Sequence, residues 1–191
     1  MRSVVEQLKS VADAGLMSPY GEDGYAMFQS GDVLFSTDGT WTSTAHGSVE
    51  GLNFGVTNIY SVTPDKFTNR SSAHLFSLLN NEDRTDEKEQ GVADFLSWMR
   101  ENSLDWAGAG QIVASKEVFE SEEYQQYPQS FFTSSDVEKE ASYIFDYKYY
   151  SYVESALGTV LSDMIYGNIT IDEGLDQAQK TVEDLIAENA S

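Results

Sequence analysis

Apolar residues recur at helical spacing near both ends of the chain, while the middle alternates short apolar runs with polar, glycine-bearing stretches. Val4, Leu8, Val11 and Ala12 share one helical face, and Gly15 can end that helix. Tyr25-Ala26-Met27-Phe28 reads as a short helix stopped at Gly31. Val33 to Phe35 then reads as a short buried strand, followed by the tight turn Asp38-Gly39-Thr40-Trp41. Asn53 to Ile59 and Ala73 to Leu78 are further strand candidates, with a loop or crossover over 61–70 and a polar connection or short helix over 42–51. Val92, Phe95, Leu96 and Met99 define the buried face of a helix ending near Asn102. Leu104 to Gly110 is a glycine-rich connection, and Ser115 opens a short helix that Pro128 ends. Ser135 with Glu138 fits a capping box. The stripe Val153, Ala156, Leu157, Val160, Leu161, Met164 and Ile165 has the spacing of a core-facing helix, with Gly167 as a left-handed stop. Thr170 and Glu173 form a second capping box, opening a helix buried through Leu175, Ala178, Val182, Leu185 and Ile186.

Composition narrows the class. The chain has 191 residues, 40% apolar and 13% aromatic, which places it among globular proteins. It has no cysteine, so disulfides and thiolate metal sites are excluded. It carries 32 acids against 11 bases, a net charge of -21. That charge repels phosphates, so no nucleic-acid partner is expected. The acids of the last third alternate with apolar positions, the pattern of a solvated helix surface. No stretch is apolar enough to span a membrane, and the first residues read as an amphipathic helix, not as an export signal.

Catalytic chemistry is thinly represented. The two histidines, His46 and His74, are far apart in sequence, and no zinc, phosphate-loop, nucleophile-elbow or dinucleotide motif occurs. Asp38 beside a second acid is compatible with a glycosidase pair, but 32 acids make such pairs common. No catalytic residue, cofactor or metal is assigned. Binding is better supported. Trp41 and Trp106, and the cluster Tyr143, Tyr147, Tyr149, Tyr150 and Tyr152, sit near loops or helix starts, where aromatic faces can pack on the C–H faces of sugar rings. The tyrosine run also fits ordinary packing around a helix, and His74 fits a strand-end core position as well as a ligand contact.

The order of motifs resembles the C-terminal half of the extracellular solute-binding proteins of sugar ABC transporters, the maltose-binding-protein-like family. Phe28, Gly31, Asp38-Gly39 and Trp41 match its Phe-x-x-Gly, strand, Asp/Asn-Gly-x-Trp element. Phe54-Gly55-Val56, Ser72-Ala73-His74-Leu75-Phe76 and the helix Ala93 to Met99 follow. Trp106 to Lys116 resembles a Trp-Ala-x-x-Gly-x-Ile-Pro-Ala segment, with Val113 in place of the proline. Gly167-Asn168-Ile169-Thr170 resembles the turn between the final helices. The resemblance implies a helix-rich α/β fold: the second lobe of a type II periplasmic-binding-protein fold, with a segment of the first lobe. Residues 1–66 and 116–191 would belong to the C-terminal lobe, and 67–115 would hold the hinge crossing and the first-lobe segment. It implies non-catalytic capture of an oligosaccharide by Asp38, Trp41, His74, Trp106 and Tyr150, delivery to a transporter permease, and an extracellular or periplasmic, membrane-tethered parent. Because most of the first lobe is unmatched, residues 75–112 would expose Phe95 and Trp98, so self-association through that segment is expected. A structural or interaction module without sugar binding is the second reading, and a glycoside-active enzyme the third.

Overall fold

The computed structural model describes residues 1–58, 69–134, 142–143 and 145–189. In chain order its helices are α1 (Arg2–Asp13), α2 (Gly24–Ser30), α3 (Ser43–Gly47), α4 (Asp86–Glu101), α5 (Ser103–Gly108), α6 (Lys116–Phe119), α7 (Phe131–Ser134), α8 (Tyr150–Tyr166) and α9 (Ile171–Glu188). Short 3-10 turns lie at Thr40–Thr42, Tyr124–Gln126 and Pro128–Ser130. The strands among the described residues are β1 (Asn69–Arg70) and β2 (Ser142–Tyr143), paired in parallel with Asn69 opposite Ser142 and Arg70 opposite Tyr143.

This corrects the expected fold class. An α/β lobe of the solute-binding type needs a central sheet, and two residues of parallel ladder do not make one. Val33 to Phe35 forms no strand, and its core side chains face water: Leu34 is 86% and Phe35 87% exposed. Asn53 to Asn58 and Ala73 to Leu78 form no ladder either; Ile59, most of the 61–70 loop and the Ser135–Glu138 capping box lie outside the described residues. With the sheet goes the family assignment, and with it the sugar cleft and the transport role that the resemblance implied. The localisation reading holds in its coarsest part: among the described residues no helix is long and apolar enough to cross a membrane.

The chain divides into two units, one of Met1–Ser36, Ser61–Lys66 and Ile144–Ser191, the other of Thr37–Tyr60 and Phe67–Tyr143. The first is built on α1, α8 and α9. Its core joins Val5 of α1 to Ala156, Val160, Met164 and Ile165 of α8 and Ala178 of α9, with Leu8, Leu161, Leu175 and Val182 packed around them. The predicted α8 stripe is therefore the face that is buried. Gly167 caps α8 at φ 78°, a conformation glycine adopts without a Cβ penalty. The predicted box at Thr170 is complete: Thr170 Oγ1 accepts from Glu173 N at 3.2 Å, and Thr170 N donates to Glu173 Oε2 at 2.9 Å. The close approach of α8 and α9 requires Gly174. A Cβ there would stand 2.4 Å from both Cγ and Sδ of the fully buried Met164.

The loop after α1 is tied to α8 by two phenols. Tyr20 Oη donates to Asp163 Oδ1 at 2.6 Å, Tyr166 Oη donates to the carbonyl of Ser18, and the two rings meet edge-on at 5.4 Å. Asn168 Nδ2 also donates to Asp163 Oδ1 at 3.0 Å. The amide of Asn168 and the phenol of Tyr20 hold the Asp163 carboxyl below its usual range. The Thr170 hydroxyl and N–H do the same for Glu173.

Two outcomes follow from this packing. Helix propensity alone favours alanine over glycine by about 1 kcal/mol, yet Gly174→Ala is expected to lower stability by about 1–3 kcal/mol, read as a lower urea midpoint, because the new methyl overlaps Met164. For the carboxylates, a folded value depressed below the unfolded value of about 4 gives stability that is present above that pH and lost as pH falls through the folded values. Acidification should therefore lower the thermal midpoint progressively below about pH 4, and Tyr20→Phe should lose less on acidification than the wild type because its Asp163 is less depressed.

Candidate functional site

The expected site residues fall in both units, so they are taken unit by unit. In the second unit the Asp38–Trp41 stretch turns at Thr40–Thr42, without the strand expected before it. The Asp38 carboxylate accepts from Gly39 N at 2.8 Å through Oδ1, which ties it to its own turn. Trp41 sits in the 3-10 turn Thr40–Thr42 with its ring folded over Gly39, where a Cβ would lie 2.1 Å from the indole. Trp41 as a whole stays 59% exposed.

This turn rests on the chain after α5. Gly110 has φ 86°, and a Cβ on it would lie 2.5 Å from the Thr40 carbonyl oxygen and 3.0 Å from Trp41 Cα. Thr44 Oγ1 donates to the Gly108 carbonyl at 2.8 Å across the same junction. Trp106 lies one turn earlier on α5, half exposed, and its indole meets His74 edge-on at 6.2 Å. The Trp41 turn and the Trp106–Gly110 stretch are therefore brought together, with His74 against Trp106. Tyr150 belongs to the first unit, at the start of α8, where its ring stacks on Phe145 at 4.8 Å and 7°.

Beneath the junction lies a small core of Ala107, Val113 and Tyr124, flanked by Leu104, Val118, Phe119 and Tyr127. Burial of the Tyr124 phenol pushes its pKa up. Gln129, 1% exposed, was not foreseen from sequence. Its Nε2 donates to the carbonyls of Ala107, at 2.7 Å, and Gln111, at 3.4 Å, which brackets Gly110. A glutamine just after Pro128 carries no sequence signal for such a role, since glutamines are usually exposed.

The second feature of this unit is an uncovered apolar surface. Helix α4 is well specified locally: Thr85 Oγ1 accepts from Lys88 N, and Asp86, Glu87 and Glu89 favour its N-terminus. Yet none of its residues is buried. The face predicted to be buried is not: Phe95 and Leu96 are exposed and Val92 and Met99 only half-buried. Trp98 is exposed beside them, and Phe76 meets Phe95 edge-on at 5.7 Å. Leu75, Leu78 and Leu79 are exposed as well.

The first unit holds an open groove of about 420 Å³ at the α8–α9 turn, lined by Lys9, Met164, Asn168, Ile169, Thr170 and Glu173 among others. Lys9 pairs with Asp13, Asn168 with Asp163 and Thr170 with Glu173, so these polar groups are turned to the fold itself. Among the described residues no cluster of histidine, aspartate and glutamate side chains could hold a metal ion. In comparison with known proteins, the chain matches no family model and no curated protein.

Because Gly110 supplies both the positive φ and the space for the Trp41 turn, Gly110→Ala should destabilise the chain by about 1–3 kcal/mol. Near-UV circular dichroism should weaken in the same variant, since the turn that fixes the Trp41 ring has to shift.

Proposed function

We propose that this chain is a non-catalytic protein-interaction module whose docking surface is the apolar face of α4 together with residues 75–79. The observation that carries the reading is the conflict on α4 between pattern and exposure. Val92, Phe95, Leu96 and Met99 have the spacing of a buried face, on a helix none of whose residues is buried. An exposed apolar patch on a folded chain marks a protein or membrane contact or a ligand groove, and a net charge of -21 disfavours an anionic membrane surface. The aromatic groups singled out for ligand binding are compatible with this. Trp41 and Trp106 are exposed in the same unit as Trp98 of α4, and tryptophan is enriched among the anchors of protein interfaces. Oligosaccharide and permease partners rested on a sheet-based cleft and are not carried forward.

An apolar dye tests the surface directly. 8-Anilinonaphthalene-1-sulfonate should bind the folded chain with a rise in fluorescence while near-UV dichroism and cooperative unfolding are retained, which separates a docking face from a loosened core. Phe95→Asp and Leu96→Asp should remove most of that signal with little loss of helicity. A chain that binds no dye has this face covered, and the reading fails.

A further inference from the structure

Residues 73–79, Ala-His-Leu-Phe-Ser-Leu-Leu, have a strand pattern with apolar groups on both faces: His74, Phe76 and Leu78 alternate with Ala73, Leu75, Ser77 and Leu79. Such a pattern suits a strand covered on both sides. Here the stretch begins three residues past the end of β1 but forms no ladder. Among the described residues its backbone N–H and C=O groups are unpaired, except that the Leu79 carbonyl accepts from Arg84 Nη2 at 2.8 Å. Its large side chains are exposed, Phe76 at 64%. An unpaired, apolar, proline-free segment of this length is a template for another strand.

We propose that residues 73–79 are a self-pairing strand through which two copies of the chain associate, antiparallel about Phe76. The inference rests on the docking-surface reading above and names the occupant of that surface. Free backbone groups in a row are matched by a strand, and a second copy brings an identical one at equal concentration. Antiparallel pairing about a two-fold axis uses the same edge on both copies, so one contact satisfies that edge of each. In that register Phe76 lies opposite its own copy, His74 opposite Leu78 and Leu75 opposite Ser77, so an aromatic pair sits at the centre. Charge points the same way. The chain carries a net charge of -21, but Ser71 to Asn81 contains no Asp, Glu, Lys or Arg, so apart from the Arg84 guanidinium on the Leu79 carbonyl two copies can approach here without fixed charges in contact. Because Phe76 touches Phe95, the paired strand lies beside the exposed face of α4.

Sedimentation velocity of the full chain, from low micromolar to near millimolar concentration, tests this. The expected result is a monomer–dimer equilibrium that strengthens as salt screens the net charge, the opposite of an association driven by charge pairing. With Phe76 as the closely spaced, non-hydrogen-bonded pair, the Ser77 N–H faces the Leu75 carbonyl of the second copy, so Ser77→Pro keeps the apolar side chains but removes that ladder bond and should weaken dimerisation at least about tenfold. Phe76→Asp leaves the backbone intact and should do the same by placing two carboxylates face to face. Hydrogen exchange at 73–79 should slow in the dimer. A monomer at every concentration and salt overturns the inference, and so does a dimer that survives Ser77→Pro but is lost in Leu96→Asp. Dye binding separates the two levels: a monomer that binds dye leaves the docking surface standing without this occupant, and a monomer that binds none removes both.

Discussion

The contact between Met164 and Gly174 sets the geometry of the first unit. The Met164 thioether fills the space that a side chain at 174 would need, so α8 and α9 approach closely enough to share one core. The turn between them is over-determined. Gly167 takes the left-handed conformation that stops α8, and three residues later Thr170 begins the capping box that starts α9. With the hairpin fixed, α1 has one surface to lay Val5 and Leu8 against, and the phenols of Tyr20 and Tyr166 secure the loop that follows. The turn devices are local and the phenol ties are long-range, yet all favour the same packing, which is how a small helical core becomes specific.

The second unit uses a different economy. Its core is small, and much of its definition is polar or steric: the Gln129 amide across two carbonyls, the Thr44 hydroxyl on Gly108, and the backbone approach at Gly110. These hold the Trp41 turn against the Trp106–Gly110 stretch but bury little apolar area. Consistent with that, this unit holds α4 with no buried residue and the exposed leucines after β1. Apolar burial is the dominant favourable term in folding. A unit that leaves Phe95, Leu96 and Trp98 in water therefore forgoes stabilisation that a partner can supply.

What was legible in the sequence divides along the same line. In the first unit the buried stripe of α8, its stop and the start of α9 were readable because their signals are local: a stripe at 3.6-residue period, a glycine stop, a Thr-x-x-Glu box; the start of α8 at Tyr150 has no side-chain cap to announce it. The strands were not, because a strand is a relation between two segments. The residues of 33–35 and 73–78 have the right character, yet pairing requires a partner in register, and no single-segment pattern encodes one. The family resemblance inherited that weakness. It took the motif order around Asp38-Gly39 and Trp41 as evidence of a sheet, when the turn itself forms on a 3-10 element without any flanking ladder. Of the site, the residues were found but their purpose was not. The Trp41 turn meets the chain just after Trp106, and His74 meets Trp106, while Gln129, which brackets Gly110, gave no signal at all.

The charge ties the uncovered surface to the behaviour of the chain. A protein with an exposed apolar helix face and an unpaired apolar segment ordinarily aggregates. A net charge of -21 opposes the random collisions through which that happens, because most approaches bring acidic surfaces together. The repulsion does not act equally on every approach. It is weakest where fixed charges are sparse, and the stretch from Ser71 to Asn81 has none. Acidic composition and exposed apolar residues are then complementary features: the first suppresses unspecific contact, and the second leaves open a narrow class of specific contact, reached only when the uncharged segment meets a surface that can pair its backbone and cover its leucines.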